Sequence, residues 1–160
     1  MSRRLPPDFA DLFACLNEAG ADYMLVGGYA VNAYGYIRAT EDLDVWVRPS
    51  PENAARVMVA MANFGMPPGL RVEDLAQIDG PPPTGFRFGR RPLTVDLLTS
   101  VQGISFDQAW GESIVSNFDG LRVRIIGIEA LLANKRATKR LKDAADVEEL
   151  ERLRALGLLE

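Results

Sequence analysis

Hydrophobic residues in this chain recur with two periods, one typical of helices and one typical of strands. Four segments carry apolar residues at helical spacing: residues 8–19, 52–64, 128–138 and 143–156. Asp8 follows two prolines and is predicted to cap the first of these helices, and Ser50 is predicted to cap the second. A shorter helix is expected directly after the glycine pair Gly27-Gly28.

Shorter apolar runs bounded by turn residues predict the strands. They lie at residues 22–26, 42–47 and 121–126, and in the two halves of GFRFGRRPLTVDLL, which fold back at GRRP. Residues 65–83 are rich in Pro and Gly and predict an irregular connection with a short helix, and residues 104–116 look helical or mixed. Strands and helices alternate, which predicts an α+β (α/β-like) fold with a mixed β-sheet flanked by helices.

Composition adds an expected size and setting. The 160 residues predict a single domain, residues 1–160. The apolar share of 48% and the charged share of 25% are typical of a soluble globular protein. No apolar run approaches the roughly 20 residues of a membrane span, and the N-terminal residues show no secretory signal. A cytoplasmic protein without membrane contact is therefore expected.

Missing residue types limit the chemistry. The chain has no histidine, which excludes a histidine general base, a Ser-His-Asp triad and a histidine-ligated zinc site. The single cysteine, Cys15, lies among apolar residues at helical spacing and is expected to be a buried small hydrophobe. The net charge of −4 argues against a broad nucleic-acid-binding surface. The basic run at residues 135–142 is either a solvated helix face or a guide for an RNA end.

The glycine pair in LVGGYA lies between a predicted strand and a predicted helix. Two interpretations are open: a tight turn, or a place where phosphate approaches the backbone and the free amides of a helix start. The spacing matches neither the P-loop nor the dinucleotide-binding motif.

The stretch TEDLDVWV carries two aspartates in an apolar strand. Side chains alternate along a strand, so Asp42, Asp44 and Trp46 share one face and the apolar residues between them share the other. Nothing basic lies within the stretch to neutralise the pair. The two carboxylates therefore form either a solvated polar face or a ligand pair for a divalent cation.

Asp96 and Lys135 are the other suspicious charges. Asp96 lies inside the apolar strand LTVDLL, where a charge is uncommon unless it is paired or coordinated, although a surface position stays open. Lys135 lies on the apolar stripe of its helix, so it either snorkels to solvent or reaches into a cleft towards phosphate. Carboxylates, glycine backbone and a lysine together are the parts of phosphoryl or nucleotidyl transfer.

The chain resembles the nucleotidyltransferase (polymerase β-like) superfamily, and most closely its small bacterial branch related to AbiE-type toxins. The resemblance lies in four stretches that occur in the family's order: MLVGGYAVNAYG, RATEDLDVWV, LTVDLL and IIGIEALLANKRATKRLKDAADVEEL. Many superfamily members carry Gly-Ser where this chain has Gly27-Gly28, whereas this branch usually has Gly-Gly. Haloacid-dehalogenase-type phosphatases and some glycosyltransferases also carry Asp-x-Asp, but there the pair ends an apolar strand and here it opens one.

This resemblance implies an enzyme that moves a nucleoside monophosphate from a nucleoside triphosphate such as ATP to a hydroxyl acceptor, with RNA or protein as candidate acceptors. The implied catalytic residues are also the ligands of two Mg²⁺ ions: Asp42, Asp44 and Asp96. The implied nucleotide-binding residues are Gly27, Gly28, Thr40 and Lys135. Asp143 and Asp146 are expected to be structural, or to be partners for Arg140 and Lys139, and not catalytic. A role in a toxin–antitoxin pair, with an antitoxin as partner, is a further implication, and the alternative is a catalytically silent binding or regulatory module of the same fold.

Overall fold

The computed structural model describes residues 4–160 of the chain, in which six helices surround one six-stranded sheet. The helices are α1 (Pro7–Glu18), α2 (Gly27–Ala33), α3 (Pro51–Phe64), α4 (Phe106–Glu112), α5 (Ile128–Thr138) and α6 (Leu141–Ala155). The strands are β1 (Tyr23–Val26), β2 (Asp42–Val47), β3 (Thr84–Arg90), β4 (Leu93–Ser100), β5 (Ile114–Phe118) and β6 (Leu121–Ile125). Within the described residues, no helix combines the length and the apolar character needed to cross a membrane.

The sheet is mixed, with strand order β3-β4-β2-β1-β6-β5. β2 is antiparallel to β1 and parallel to β4, while β1 is parallel to β6. Two hairpins, β3–β4 and β5–β6, form the outer strands at the two edges. The prediction of a mixed sheet flanked by helices, with helices at the C-terminus, is confirmed.

The apolar residues that alternate with polar ones along β2 pack into the core. Leu43, Val45 and Val47 have no exposed surface and face the layer formed by α1 and α3. Each fully buried side chain of this kind contributes about 1.5–3 kcal/mol. The Ser50 side chain accepts a hydrogen bond from the Asn53 backbone N–H, so the predicted cap of α3 is confirmed.

On the opposite side of the sheet, the same strand carries the acidic pair. Trp46 follows Asp42 and Asp44 on this face and is buried against Phe106 of α4, with ring centroids 5.3 Å apart. The acidic end of β2 stays open, because α4 covers only the Trp46 end. This face of the sheet is therefore packed at Trp46 and forms a polar cleft at Asp42 and Asp44.

Several local predictions are wrong. Helix α1 begins at Pro7 with Pro6 in the cap position, and Asp8 lies in its first turn without capping it, because proline suits a first helical position that needs no N–H partner. Cys15 is only partly buried against the core. Helix α2 begins at Gly27 and not after the glycine pair. By contrast, the prediction of a helical or mixed stretch at residues 104–116 is confirmed, because the stretch contains α4 and also the start of β5.

Candidate active site

One cavity of 510 Å³ brings together every residue that the sequence assigned to the site. These residues are Gly27, Gly28, Thr40, Asp42, Asp44, Asp96 and Lys135. They come from the start of α2, the loop before β2, the strands β2 and β4, and helix α5. Their convergence depends on the parallel pairing of β2 with β4, which no local pattern specifies.

The acidic residues lie on one face of two neighbouring strands. Asp44 is paired directly with Asp96, and Asp42 is paired with Thr94. Residues that are directly opposite on adjacent strands project to the same side of the sheet. The sheet therefore places like charges side by side on the wall of the cavity.

Asp44 is the carboxyl group most strongly affected by this crowding. Burial is the largest cause that raises its pKa, from 3.8 to about 7. The negative charge of Asp96, a hydrogen bond with Asp96 and the charge of Asp42 act in the same direction, and the charge of Lys135 opposes them. A carboxyl group with these neighbours gains from a proton or from another cation.

The glycine pair leaves no space for side chains. Gly27 has a φ of +68°, and a Cβ at this position would lie 2.1 Å from Oδ2 of Asp44. A Cβ on Gly28 would lie 2.4 Å from Oγ1 of Thr40. The Thr40 hydroxyl thus fills the space into which a side chain at position 28 would project, which explains why this chain has glycine and not serine there.

Lys135 lies in the wall of the cavity but does not snorkel to solvent. Its side chain is 5% exposed, and Nζ lies 2.9 Å from Oδ1 of Asp143 and 3.0 Å from Oδ2 of Asp146. Both carboxylates come from α6, which folds back beside α5 after Lys139 takes a left-handed φ of +58°. The prediction that Asp143 and Asp146 have structural partners agrees with these contacts, and a contact between Lys135 and phosphate stays a prediction.

Further cations hold the same two carboxylates. Nε and a terminal nitrogen of Arg38 each donate to Asp146 at 2.8 Å. Arg140 Nε donates to Asp143 at 2.8 Å, and Thr138 Oγ1 donates to it at 2.6 Å. Burial alone would raise the pKa of both aspartates, but these hydrogen bonds and the Lys135 charge outweigh it and lower both pKa values. The network fixes α5 and α6 against the loop that leads into β2.

Arg87 is a site residue that the sequence reasoning missed. Its Nε and a terminal nitrogen donate to the two oxygens of Asp96 at 2.8 and 2.9 Å, and the same terminal nitrogen lies 3.6 Å from Oδ2 of Asp42. The signal was present in β3, where Phe86 and Phe88 pack inwards and Arg87 alternates with them. A hairpin turn at residues 91–92 then places Arg87 opposite Asp96.

Comparison with known proteins defines the fold. No protein-family model matches the chain, and no curated protein matches it in sequence. Solved structures do match: LnuA, a lincosamide antibiotic adenylyltransferase with lincomycin bound, superposes with a TM-score of 0.60 at 14% identity over 94% of this chain and 98% of its own. The chain has the nucleotidyltransferase fold. The antibiotic-resistance factor ANT(2'')-Ia gives a TM-score of 0.58 at 17% identity, covering 93% of this chain and 88% of that one.

TM1012 from Thermotoga maritima, named as a candidate nucleotidyltransferase, gives a TM-score of 0.59 at 12% identity over 92% of this chain and 89% of its own. At these identities the likeness concerns the path of the backbone. It agrees with the fold that the resemblance implies, while the relationship to AbiE-type toxins stays a prediction.

The donor set fits a magnesium ion in its chemistry. Asp42, Asp44 and Asp96 offer hard carboxylate oxygens, and a divalent cation would offset the burial and the neighbouring negative charges that raise the pKa of Asp44. Among residues 4–160, no three acidic or cysteine side chains already surround one point as a finished metal site. Instead, the guanidinium group of Arg87 lies against two of the three carboxylates.

Proposed function

We propose that this chain is a nucleotidyltransferase that moves a nucleoside monophosphate from a nucleoside triphosphate to a hydroxyl acceptor. One observation carries the proposal: Asp42, Asp44 and Asp96 lie on one face of β2 and β4, and the glycine pair lines the same cavity. The nucleotidyltransferase fold of the chain supports the same reaction class.

In the proposed reaction, the acceptor oxygen forms a bond to the α-phosphorus, and the bond between this phosphorus and the bridging oxygen breaks, so that pyrophosphate leaves. In this proposal Asp96, which lines the cavity, takes the proton of the acceptor hydroxyl. In this proposal the triphosphate approaches the backbone of Gly27 and Gly28, which line the cavity, and the Thr40 hydroxyl beside them serves as a hydrogen-bond donor. Two Mg²⁺ ions held by the three aspartates would supply stabilisation of negative charge on the attacking and leaving oxygens.

The proposal leaves the chemical class of the acceptor and the identity of a protein partner open. RNA and protein are the candidates from the sequence resemblance, and LnuA, a lincosamide antibiotic adenylyltransferase, adds small molecules as a third class. A toxin–antitoxin role and an antitoxin partner stay predictions of the resemblance.

A thermal melting scan tests the nucleotide-binding part of this proposal. The wild type and the double variant Asp42→Asn/Asp44→Asn are melted with Mg²⁺ and each of ATP, GTP, CTP and UTP. A nucleotide at about 100 times its Kd stabilises the native state by about 2.7 kcal/mol, and this shift should disappear in the double variant. The nucleotide that shifts the midpoint is then used, with an α-phosphate label, to search for the acceptor.

The same scan also judges the silent-module alternative. If no nucleotide shifts the wild-type midpoint and no label is transferred to RNA, protein or small hydroxylated compounds, the transferase proposal is refuted. A shift that is equal in the double variant would place nucleotide binding elsewhere and would also contradict it.

A further inference from the structure

We propose that Arg87 is an internal counter-ion of the active site, which occupies the carboxylates of the metal-free chain and must leave them when a divalent cation binds. This inference rests on the proposed function. It assigns to Arg87 control over metal affinity, a role distinct from contact with the nucleotide.

The sheet register places Arg87 next to the acidic residues. Asp44 on β2 is opposite Asp96 on β4, and Asp96 is in turn opposite Arg87 on β3. Neighbouring strands are about 4.8 Å apart, so these side chains form one row across the same face of the sheet. The backbone thus presents two carboxylates followed by a cation, whatever else binds nearby.

The contacts of Arg87 are those of a cation shared between two acids. Its guanidinium group donates to both oxygens of Asp96 at 2.8 and 2.9 Å, and it lies 3.6 Å from Oδ2 of Asp42. This ion pair raises the pKa of Arg87, so the group stays charged. A guanidinium group has no lone pair to offer a metal, so it competes with a divalent cation for these oxygens and cannot join its ligands.

Unlike Lys135 and Arg38, Arg87 is a cation of this cavity that is able to move. Its side chain is 62% exposed and lies on the edge strand β3, whereas Lys135 is 5% exposed and Arg38 is 15% exposed. Lys135 and Arg38 are held by the buried Asp143 and Asp146. Arg87 can therefore swing into solvent when a divalent cation takes its place beside Asp96, whose side chain is 17% exposed.

A titration of the full chain with Mn²⁺ alone, without nucleotide, tests this inference. Free Mn²⁺ is followed by electron paramagnetic resonance at about pH 8, where protons compete little with the metal for carboxylates. Arg87→Gln should bind Mn²⁺ about tenfold more tightly than the wild type, which corresponds to about 1.4 kcal/mol. The matched control is Arg90→Gln, which removes the same charge from the same strand outside the cavity lining and should bind like the wild type.

The outcomes are distinct. Affinity in Arg87→Gln equal to that of the wild type overturns the inference. Weaker affinity overturns it too, because it would mean that Arg87 positions Asp96 for the metal. An equal gain in Arg90→Gln would reduce the effect to net charge and would also overturn it. If the wild type and Arg87→Gln both fail to bind Mn²⁺, with or without a nucleoside triphosphate, the proposed function itself fails.

Discussion

Asp44→Asn should make the metal-free protein more stable at neutral pH, although it should abolish nucleotide transfer. Burial raises the pKa of Asp44 from 3.8 to about 7, and the charge of Asp96, a hydrogen bond with Asp96 and the charge of Asp42 add to it. Unfolding returns the carboxyl group to water and to its ordinary pKa. The folded chain therefore disfavours ionised Asp44, and asparagine removes this penalty.

The magnitude follows from the difference between the two pKa values. A gap of about three pH units corresponds to about 4 kcal/mol, since each unit is worth about 1.4 kcal/mol. Because the folded-state pKa is the higher one, the stabilisation by protonated Asp44 is complete below about pH 4 and is lost as the pH rises through about 7. We expect a gain for Asp44→Asn of about 2–4 kcal/mol at pH 8, after some screening by solvent, and little gain near pH 4.

Urea denaturation in the presence of EDTA, at about pH 5 and about pH 8, measures this gain as a change in the free energy of unfolding. At pH 8 the gain corresponds to a rise in Tm of roughly 4–16 °C for a domain of this size. Asp79→Asn, in the exposed connection between α3 and β3, is the control and should show no such pH dependence. A gain for Asp44→Asn that is equal at both pH values, or a loss of stability at pH 8, would refute the electrostatic reasoning.

Two further substitutions test the packing around Asp44 and around Lys135. Gly27→Ala should lower the free energy of unfolding, measured by urea denaturation, by at least about 1–2 kcal/mol because position 27 has a positive φ. It should also abolish transfer in a labelled-nucleotide assay, because the added Cβ would meet Asp44. A fully active variant would contradict this close approach. Lys135→Met should cost about 3 kcal/mol, because it removes a cation from two buried carboxylates, whereas the exposed Lys142→Met should stay within about 0.5 kcal/mol. Equal unfolding free energies for the two lysine variants would show that Lys135 does not hold the network together.

Much of the fold could be predicted because local patterns control it. The alternation in DLDVWV gave both the bounds of β2 and the separation of its acidic face from its apolar face. Ser50 before Pro51 marked the start of α3, since both the cap and the first helical position favour these residue types. The predicted cap at Asp8 was wrong, because the prolines before it compete for the start of α1.

Apart from Arg140 and Asp143, which are three residues apart and were predicted as partners, the partners of the charged site residues could not be predicted, because they depend on contacts distant in sequence. The helix face of Lys135 left a position in solvent and a position in a cleft open, and only the fold of α6 against α5 shows that it pairs with two buried aspartates. Arg87 was overlooked because only the pairing of β3 with β4 shows that it lies opposite Asp96.

By itself, the sequence determined which chemistry is available to this protein. The absence of histidine, the single cysteine, the glycine pair and the spacing of Asp42 and Asp44 are fixed by composition and by the period of a strand. Only the tertiary structure decided where the charges go. Parallel pairing brought Asp96 beside Asp44, and the hairpin register put Arg87 beside Asp96, because the pairing of strands and the packing of helices join segments that no local period connects.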